Sequence, residues 1–494
     1  MHSTFGVEKV ADEPFEVPAI LAPVKVAEKR TAAAHFRRGI AFFEAATDLV
    51  TVTLAVVIGY LAYYNLQLGK HIQYPIRSVF GVAFAFAIVV LLMLDRVGAY
   101  ERGNGLLRIR ETEQVLRVSI QAFLVVFAAS FFTQVLVSRW LLLISVTIVP
   151  LSLFVEKHLV YRLVHTLHSR GYGIEKVLIY GSGSTGRRVF SALRRSPKLG
   201  LEPVAFVDDD PAKAGTLVFE MSYDRRKSAP VVKGPIRRDL IARYGADLVI
   251  IAIPLISHER FIDATNEALA AQARVAFVPS QFFPSDLLLD YDDIDGVLLA
   301  SFDKASQRRA YELTKRIGDV LGSILFMTFG APFLLLFTIL IKLDSKGPAF
   351  FRQERVGQHG RLFQMYKFRT MYADAPQYEY SPSVSSDPRI TRFGRFLRRT
   401  SLDELPQLLN VLQGNMSLVG PRPEMPFIVK QYTARHRQRL EVKPGLTGLW
   451  QLSGDRAFRI HENLEYDLYY IQHRNFFMDL AILLHTSIFA MRGI

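Results

Sequence analysis

The chain has no cysteine, which excludes disulfides, thiolate metal sites and cysteine nucleophiles. It is poor in charge, 21% of residues, against a hydrophobic share of 50% that includes 36 Phe. That balance is unusual for a soluble protein and points to membrane segments. Acidic residues are outnumbered: the formal net charge is +14, so the partner is anionic. Nucleic acid, a phospholipid surface and a phosphorylated substrate all qualify, and the apolar content favours the last two over nucleic acid. No internal repeat is visible, and the one low-complexity stretch is the loop near Gln377–Ser386. A cleavable signal is also missing. Residues 1–45 are polar and mixed, with Lys25, Lys29, Arg30, Arg37 and Arg38 just ahead of the first apolar run, and read as a cytoplasmic segment.

Four apolar runs follow, near Leu49–Leu66, Val79–Leu94, Val118–Val137 and Trp140–Val155. Each approaches the roughly 17–25 residues that a helix needs to cross a bilayer. Residues 46–160 therefore read as a four-helix transmembrane region, the competing reading being four buried helices of a soluble protein. Arg96, Arg102, Arg108, Arg110 and Arg117 crowd the link between the second and third runs, whereas the other two links are nearly free of cations. The positive-inside rule then places both the amino terminus and everything after the fourth helix in the cytoplasm.

At Lys176 the period changes. Lys176–Tyr180 is a buried-strand pattern, followed by Gly181-Ser182-Gly183-Ser184-Thr185-Gly186 and a helical stretch. Further strand patterns lie at Val204–Val207, ending on Asp208-Asp209-Asp210, and at Asp247–Ile253. Strands alternating with helices argue a parallel, Rossmann-like α/β domain over 174–300. Gly181, Gly183 and Gly186 between strand and helix, with Asp208 about twenty residues on, form the dinucleotide fingerprint. They are candidate cofactor-binding residues for a nucleotide, and a nucleotide-like fold that binds nothing fits the same residues. No Tyr-x-x-x-Lys pair follows, so a membrane-anchored nucleotide-sugar dehydratase or epimerase lacks its catalytic pair.

A fifth apolar run, Ile317–Ile341, has Lys315 and Arg316 before it and Lys342, Lys346, Arg352 and Arg355 after it. Gly330-Ala331-Pro332 sits near its middle, where proline removes a backbone donor and clashes with the preceding turn. Basic flanks and a central break predict a re-entrant helix-break-helix over 315–343, with a kinked spanning helix as the rival. Beyond Phe350 the chain is basic and globular. Arg392–Arg399 alternates cations with apolar groups, as suits a helix lying on an anionic phospholipid surface or an ordinary solvated face.

Asp403 and Glu404 are adjacent carboxylates inside Thr400–Gln407, with Arg398, Arg422, Lys367 and Arg369 within reach along the chain. Guanidinium forks hold phosphate oxygens, and a carboxylate can bind Mg²⁺ or attack phosphorus. A surface helix whose acids and arginines simply pair with each other would read the same way.

Three stretches decide between these readings: Phe396–Gln407, Met416–Pro423 and Lys443–Gln451. Together they closely resemble the bacterial sugar transferase family, the monotopic polyprenyl-phosphate hexose-1-phosphate transferases, over about Lys315 to the end. The resemblance implies a catalytic domain over 310–494. Within it Asp403 would be nucleophile and Mg²⁺ ligand, and Glu404 its dyad partner. Arg398 and Arg422 would contact substrate phosphate, with Lys367 and Arg369 beside them. Pro332 would be the break in the re-entrant helix, where small members have a serine before the proline and this chain has Ala331. It further implies a UDP-sugar donor and an undecaprenyl phosphate acceptor at the cytoplasmic face of the inner membrane. Glucose or galactose would be the sugar moved, with Gly454–Asp467 shaping that choice. A homodimer through the middle domain is compatible with it, and so is a non-catalytic sugar-nucleotide scaffold.

Overall fold

The computed structural model describes residues 23–67, 74–100, 108–133, 138–195, 199–219, 228–278, 287–294, 297–304, 309–375, 387–452 and 464–492. The chain divides into two compact units, Met1–Phe283 and Pro284–Ile494.

The first unit begins with four helices: α1 (Pro23–Asn65), α2 (Ile76–Arg96), α3 (Arg108–Thr133) and α4 (Arg139–Ser169). Small side chains, among them Ala55, Ala87 and Ala122, let the helices approach closely around Val52, Val90, Leu94 and Leu153. One end of the bundle is tied by a buried Lys157–Asp48 ion pair at 2.8 Å, with the Tyr100 hydroxyl donating to the same carboxylate. Helices α1, α2 and α4 are long and apolar enough to cross a membrane. α3 carries Arg108, Arg110, Glu111, Glu113 and Arg117 in its first turns, and the apolar run Val118–Val137 that follows lies partly outside the described residues.

A six-stranded sheet of order β3-β4-β2-β1-β5-β6 completes this unit. Its strands are β1 (Glu175–Tyr180), β2 (Leu201–Asp208), β3 (Leu217–Phe219), β4 (Ser228–Lys233), β5 (Leu248–Ile251) and β6 (Arg274–Phe277). Helices α5 (Ser184–Arg195), α6 (Arg238–Tyr244) and α7 (His258–Ala270) connect them, and all pairings are parallel except β3 with β4. The near-continuous apolar strands VLIY and LVII are buried on both faces, the pattern that parallel sheets require. The expected Rossmann-like architecture is present.

The second unit opens with the hairpin of β7 (Leu287–Ile294) and β8 (Val297–Lys304), part of which the sequence pattern assigns to the 174–300 domain. Helix α8 (Arg309–Asp344) follows and is also long and apolar enough to cross a membrane. The chain stays helical through Pro332, so a change of direction there is a bend within the helix and not a non-helical loop. Proline forfeits one hydrogen bond and bends a helix, and a run this long absorbs that loss on either side. Leu325, Phe326, Phe329 and Phe333 in its middle are exposed, whereas Phe337 and Ile341 near its end are buried against Phe368 and Leu397.

The rest is a small α/β body. It comprises β9 (Phe350–Val356) antiparallel to β10 (Leu362–Phe368), α9 (Arg392–Thr400), a 3₁₀ turn Leu402–Gln407 and α10 (Leu408–Gln413). Then come β11 (Ser417–Val419), α11 (Pro426–Val429), α12 (Ala434–Arg437), β12 (Gly445–Thr447) parallel to β11, α13 (Leu449–Leu452), α14 (Leu464–His473) and α15 (Phe476–Arg492). Most of Gly454–Asp467 falls outside the described residues.

Candidate active site

Local chain chemistry aims the two carboxylates. Thr391 starts α9 by accepting a hydrogen bond from the Gly394 amide at 3.0 Å, the usual duty of an N-cap. Gly394 lies so close to the segment that follows β10 that a Cβ there would sit 2.1 Å from the Thr370 carbonyl oxygen. At the other end Ser401 takes a left-handed conformation, φ 56°, and stops the helix. A non-glycine residue there stores strain of about 1–3 kcal/mol, the kind of cost found where function dictates geometry. The chain then tightens into the 3₁₀ turn that carries Asp403 and Glu404.

The two acids have opposite surroundings. Glu404 Oε1 accepts from Lys367 Nζ at 2.8 Å and from Arg422 Nη2 at 3.0 Å. Burial would raise its pKa, but Arg422 and Lys367 outweigh burial and hold it down at about 2. Asp403 is 9% exposed and accepts no hydrogen bond among the described residues. Burial, reinforced by the neighbouring Glu404 charge, lifts its pKa above the ordinary aspartate value despite Lys367, Arg398 and Arg422. Glu404 is thus a fixed anion, and Asp403 is a desolvated carboxyl with its oxygens uncommitted.

Four cations face this pair. Lys367 reaches it from β10 and Arg422 from the loop after β11. Arg398 comes from the last turn of α9, its Nε donating to Thr370 Oγ1 at 3.0 Å. The fourth, Arg355 on β9, which the sequence shows only as a flanking charge, acts on Glu404 through its charge and makes no hydrogen bond to either carboxylate among the described residues. It donates to the Pro423 carbonyl and to Gln353, and burial, then the Arg422 charge, pushes its pKa down to about 10. The missed signal was strand alternation, which puts Gln353 and Arg355 on one face of β9. Arg439 was missed too. Its guanidinium pairs with Asp467 at 2.7 Å and donates to the Arg422 carbonyl at 3.2 Å, fixing the Pro-Arg-Pro loop from behind.

Arg369 is not brought to the carboxylates. Its guanidinium donates to the carbonyls of Ser345 and Lys346 and to Ser345 Oγ, closing the carboxyl end of α8. Thr370 and Met371, next along the chain, instead face Arg398.

The donor set suits a magnesium ion. Mg²⁺ is commonly held by one or two carboxylates together with substrate phosphates rather than by an all-protein cage. Among the described residues no group of three His, Asp or Glu gathers, whereas Asp403 offers uncommitted oxygens beside a charged neighbour.

In the first unit the glycine fingerprint has a packing cause. A Cβ on Gly186 would lie 1.8 Å from the Gly181 carbonyl oxygen, so α5 meets β1 only through glycine. Space beside Gly183 is open. Asp208 is already engaged: it accepts from the Ser182 amide at 2.8 Å and hydroxyl at 2.6 Å, and pairs with Lys213 at 3.3 Å. Burial opposes its ionisation, but the Ser182 bonds lead the opposing influences and its pKa is lowered.

Residues 310–493 match the family described as bacterial sugar transferase, and residues 95–279 match a CoA-binding domain. An undecaprenyl-phosphate galactose phosphotransferase of Salmonella typhimurium is 31% identical over 348 residues, covering 66% of this chain and 70% of that protein. A UDP-glucose:undecaprenyl-phosphate glucose-1-phosphate transferase of Klebsiella pneumoniae is 31% identical over 329 residues, 64% of this chain and 68% of its own. The Xanthomonas campestris pv. campestris enzyme of the same name is 28% identical over 475 residues, 90% and 94% of the two chains. Sequence motif, carboxylate pair and relatives converge, and the chain belongs to the bacterial sugar transferase family.

Proposed function

We propose that the protein transfers a hexose 1-phosphate from a UDP-sugar to undecaprenyl phosphate and releases UMP, as the names of its relatives describe for them. Asp403 attacks the β-phosphorus of the donor. The bond from that phosphorus to the bridging oxygen breaks, UMP departs with the electron pair, and an aspartyl phosphosugar remains. A phosphate oxygen of the polyprenyl acceptor then attacks the same phosphorus, which frees Asp403 and leaves a polyprenyl diphosphosugar. The observation that carries this reading is the asymmetry of the dyad: Glu404 is locked by Lys367 and Arg422, and Asp403 is buried with uncommitted oxygens. Arg398 and Arg422 neutralise charge on the phosphoryl oxygens as it builds, the largest contribution proteins make to such displacements. Mg²⁺ bound at Asp403 and the donor diphosphate would supply further charge neutralisation there.

The same reading puts the catalytic body at the cytoplasmic face of the inner membrane, with α8 bent at Pro332 so that it enters and leaves by that face. Support comes from the two ends of α8, which are both held by one small body. Near its start Asp319 accepts from Ser417 Oγ and the Leu418 amide, and near its end Asp344 accepts from the Phe393 amide. A helix that crossed the bilayer would part those anchors by the hydrocarbon thickness, about 30 Å. Basic residues on both flanks, Lys315 and Arg316 against Lys342 and Lys346, favour one side for both ends. UMP release from a panel of UDP-sugars, with and without undecaprenyl phosphate, tests the assignment and names the sugar. Transfer from no donor in the panel would refute it.

A further inference from the structure

Arg316 lies in the first turns of the membrane helix, where a basic residue is expected to serve topology alone. Its side chain does something more specific. Nη1 donates to the Val411 carbonyl at 2.6 Å and Nη2 to the Leu412 carbonyl at 2.9 Å. These are carbonyls of the last turn of α10; the Val411 carbonyl also accepts from the Gly414 amide at 3.0 Å, and Arg316 adds a second donor there. Gly414 ends α10 in the left-handed conformation, φ 86°, and packs beside the fork: a Cβ there would be in ordinary contact with Arg316 Nη2 at 3.6 Å. The planar fork thus clamps one end of α10 to α8.

The residue just before Val411 on α10 completes a chain of contacts. Asn410 is fully buried, and its side-chain amide acts as a neighbouring strand for the outer edge of β10. Oδ1 accepts from the Tyr366 amide at 3.0 Å, and Nδ2 donates to the Gln364 carbonyl at 2.7 Å. β10 has β9 on its other side only, so these edge groups depend on Asn410. Lys367 follows immediately and reaches Glu404 at 2.8 Å, and the turn bearing Glu404 runs directly into α10. Both partners of the Lys367–Glu404 contact are therefore referenced to α10, one through Asn410 and one through the backbone.

We infer that Arg316 is a positioning residue for the transfer reaction: it fixes α10 against the membrane helix so that Asn410 holds Lys367 in register with Glu404. The inference rests on the proposed transferase reading for its consequence and on the contacts alone for its mechanism. Arg316 touches no substrate, so its loss changes how well the carboxylates and cations are arranged and not how many there are.

The test uses the full chain in detergent or nanodiscs, with Arg316→Gln, Arg316→Lys, Asn410→Ala and the Arg316→Gln/Asn410→Ala double variant. Arg474→Gln, which removes a pairing to Glu312 on the exposed side of α8, is the control. Arg316→Gln is expected to lower kcat for UMP release about tenfold with KM for the UDP-sugar within about twofold, the signature of an interaction realised in the transition state. Arg316→Lys keeps the charge without the fork and is expected to recover part of that loss. The double variant is expected to be no worse than its more impaired parent, because the two residues act in series. Hydrogen exchange supplies a readout independent of activity: the Tyr366 amide is expected to exchange about tenfold faster in Arg316→Gln, and unchanged in Arg474→Gln. Additive losses in the double variant, or a Tyr366 amide that stays protected, would overturn the inference. If Arg316→Gln does not fold, Arg316→Lys carries the same comparisons. A wild-type chain that transfers nothing would defeat the transferase reading, and the exchange experiment would still decide the positioning role.

Discussion

Asp403 and Glu404 are neighbours in sequence and differ in almost every physical respect. Asp403→Asn retains the shape and removes the nucleophilic oxygen, so UMP release is expected to fall at least about a thousandfold, as loss of a nucleophile does elsewhere. Glu404→Gln leaves Lys367 and Arg422 without their counter-charge, and a loss of about 10²–10³-fold is expected in the same assay. The pH dependence follows from the dyad. The nucleophile must be ionised, so activity is present above the pKa of Asp403 and disappears as pH falls through it. Burial raises that pKa, so the acid limb of kcat is expected above the ordinary aspartate value. Lys367 opposes the rise, and Lys367→Met is expected to move the limb higher still. An acid limb that moved lower in Lys367→Met would contradict the assignment. Residue types and spacing singled out Asp403, Glu404, Lys367, Arg398 and Arg422, and the family resemblance chose their roles over a self-paired surface helix. The role of Arg369 was not legible, because two residues of one polypeptide stretch can serve different masters: Lys367 turns to the carboxylates and Arg369 to the end of α8. Arg439 was illegible for another reason. Its value lies in a buried bond to a carbonyl, which leaves no local pattern.

Among the elements, α8 was the most informative stretch in the sequence and the one read least completely. Its apolar length and basic flanks were plain. Its response to Pro332 was not, because whether a proline breaks or bends a helix depends on what its neighbours hold. The helix persists and its two ends reach one body. Single cysteines at Thr314 and His359, both exposed and lying on either side of the apolar run, report the topology in a chain that has no cysteine of its own. Both are expected to be shielded from a membrane-impermeant thiol reagent in intact cells and to react after lysis. Labelling of His359→Cys alone in intact cells would mean that α8 spans the bilayer. The sheet was read well, because parallel strands are apolar throughout and their glycine-rich turn has a fixed place. The glycines also have a packing role that the fingerprint does not show: Gly186 allows the contact of α5 with β1, while Asp208 holds Ser182.

At the scale of the whole molecule the two compact units divide the labour unevenly. All five residues assigned to chemistry or phosphate contact, Lys367, Arg398, Asp403, Glu404 and Arg422, lie in Pro284–Ile494. A chain confined to that unit is expected to release UMP from the same UDP-sugar as the full protein, with kcat within about tenfold. Loss of all activity in a folded, membrane-bound truncation would show that the leading helices or the sheet domain contribute to the site. The central claim is covalent transfer through Asp403, and one measurement addresses it directly. The purified full chain is incubated with its UDP-sugar and Mg²⁺ without acceptor, quenched in acid, and analysed by intact mass and peptide mapping. The account predicts an added hexose phosphate on the peptide containing Asp403, absent from Asp403→Asn and discharged by undecaprenyl phosphate. An unmodified chain that nevertheless transfers sugar phosphate once acceptor is present, or an adduct on another residue, would contradict it.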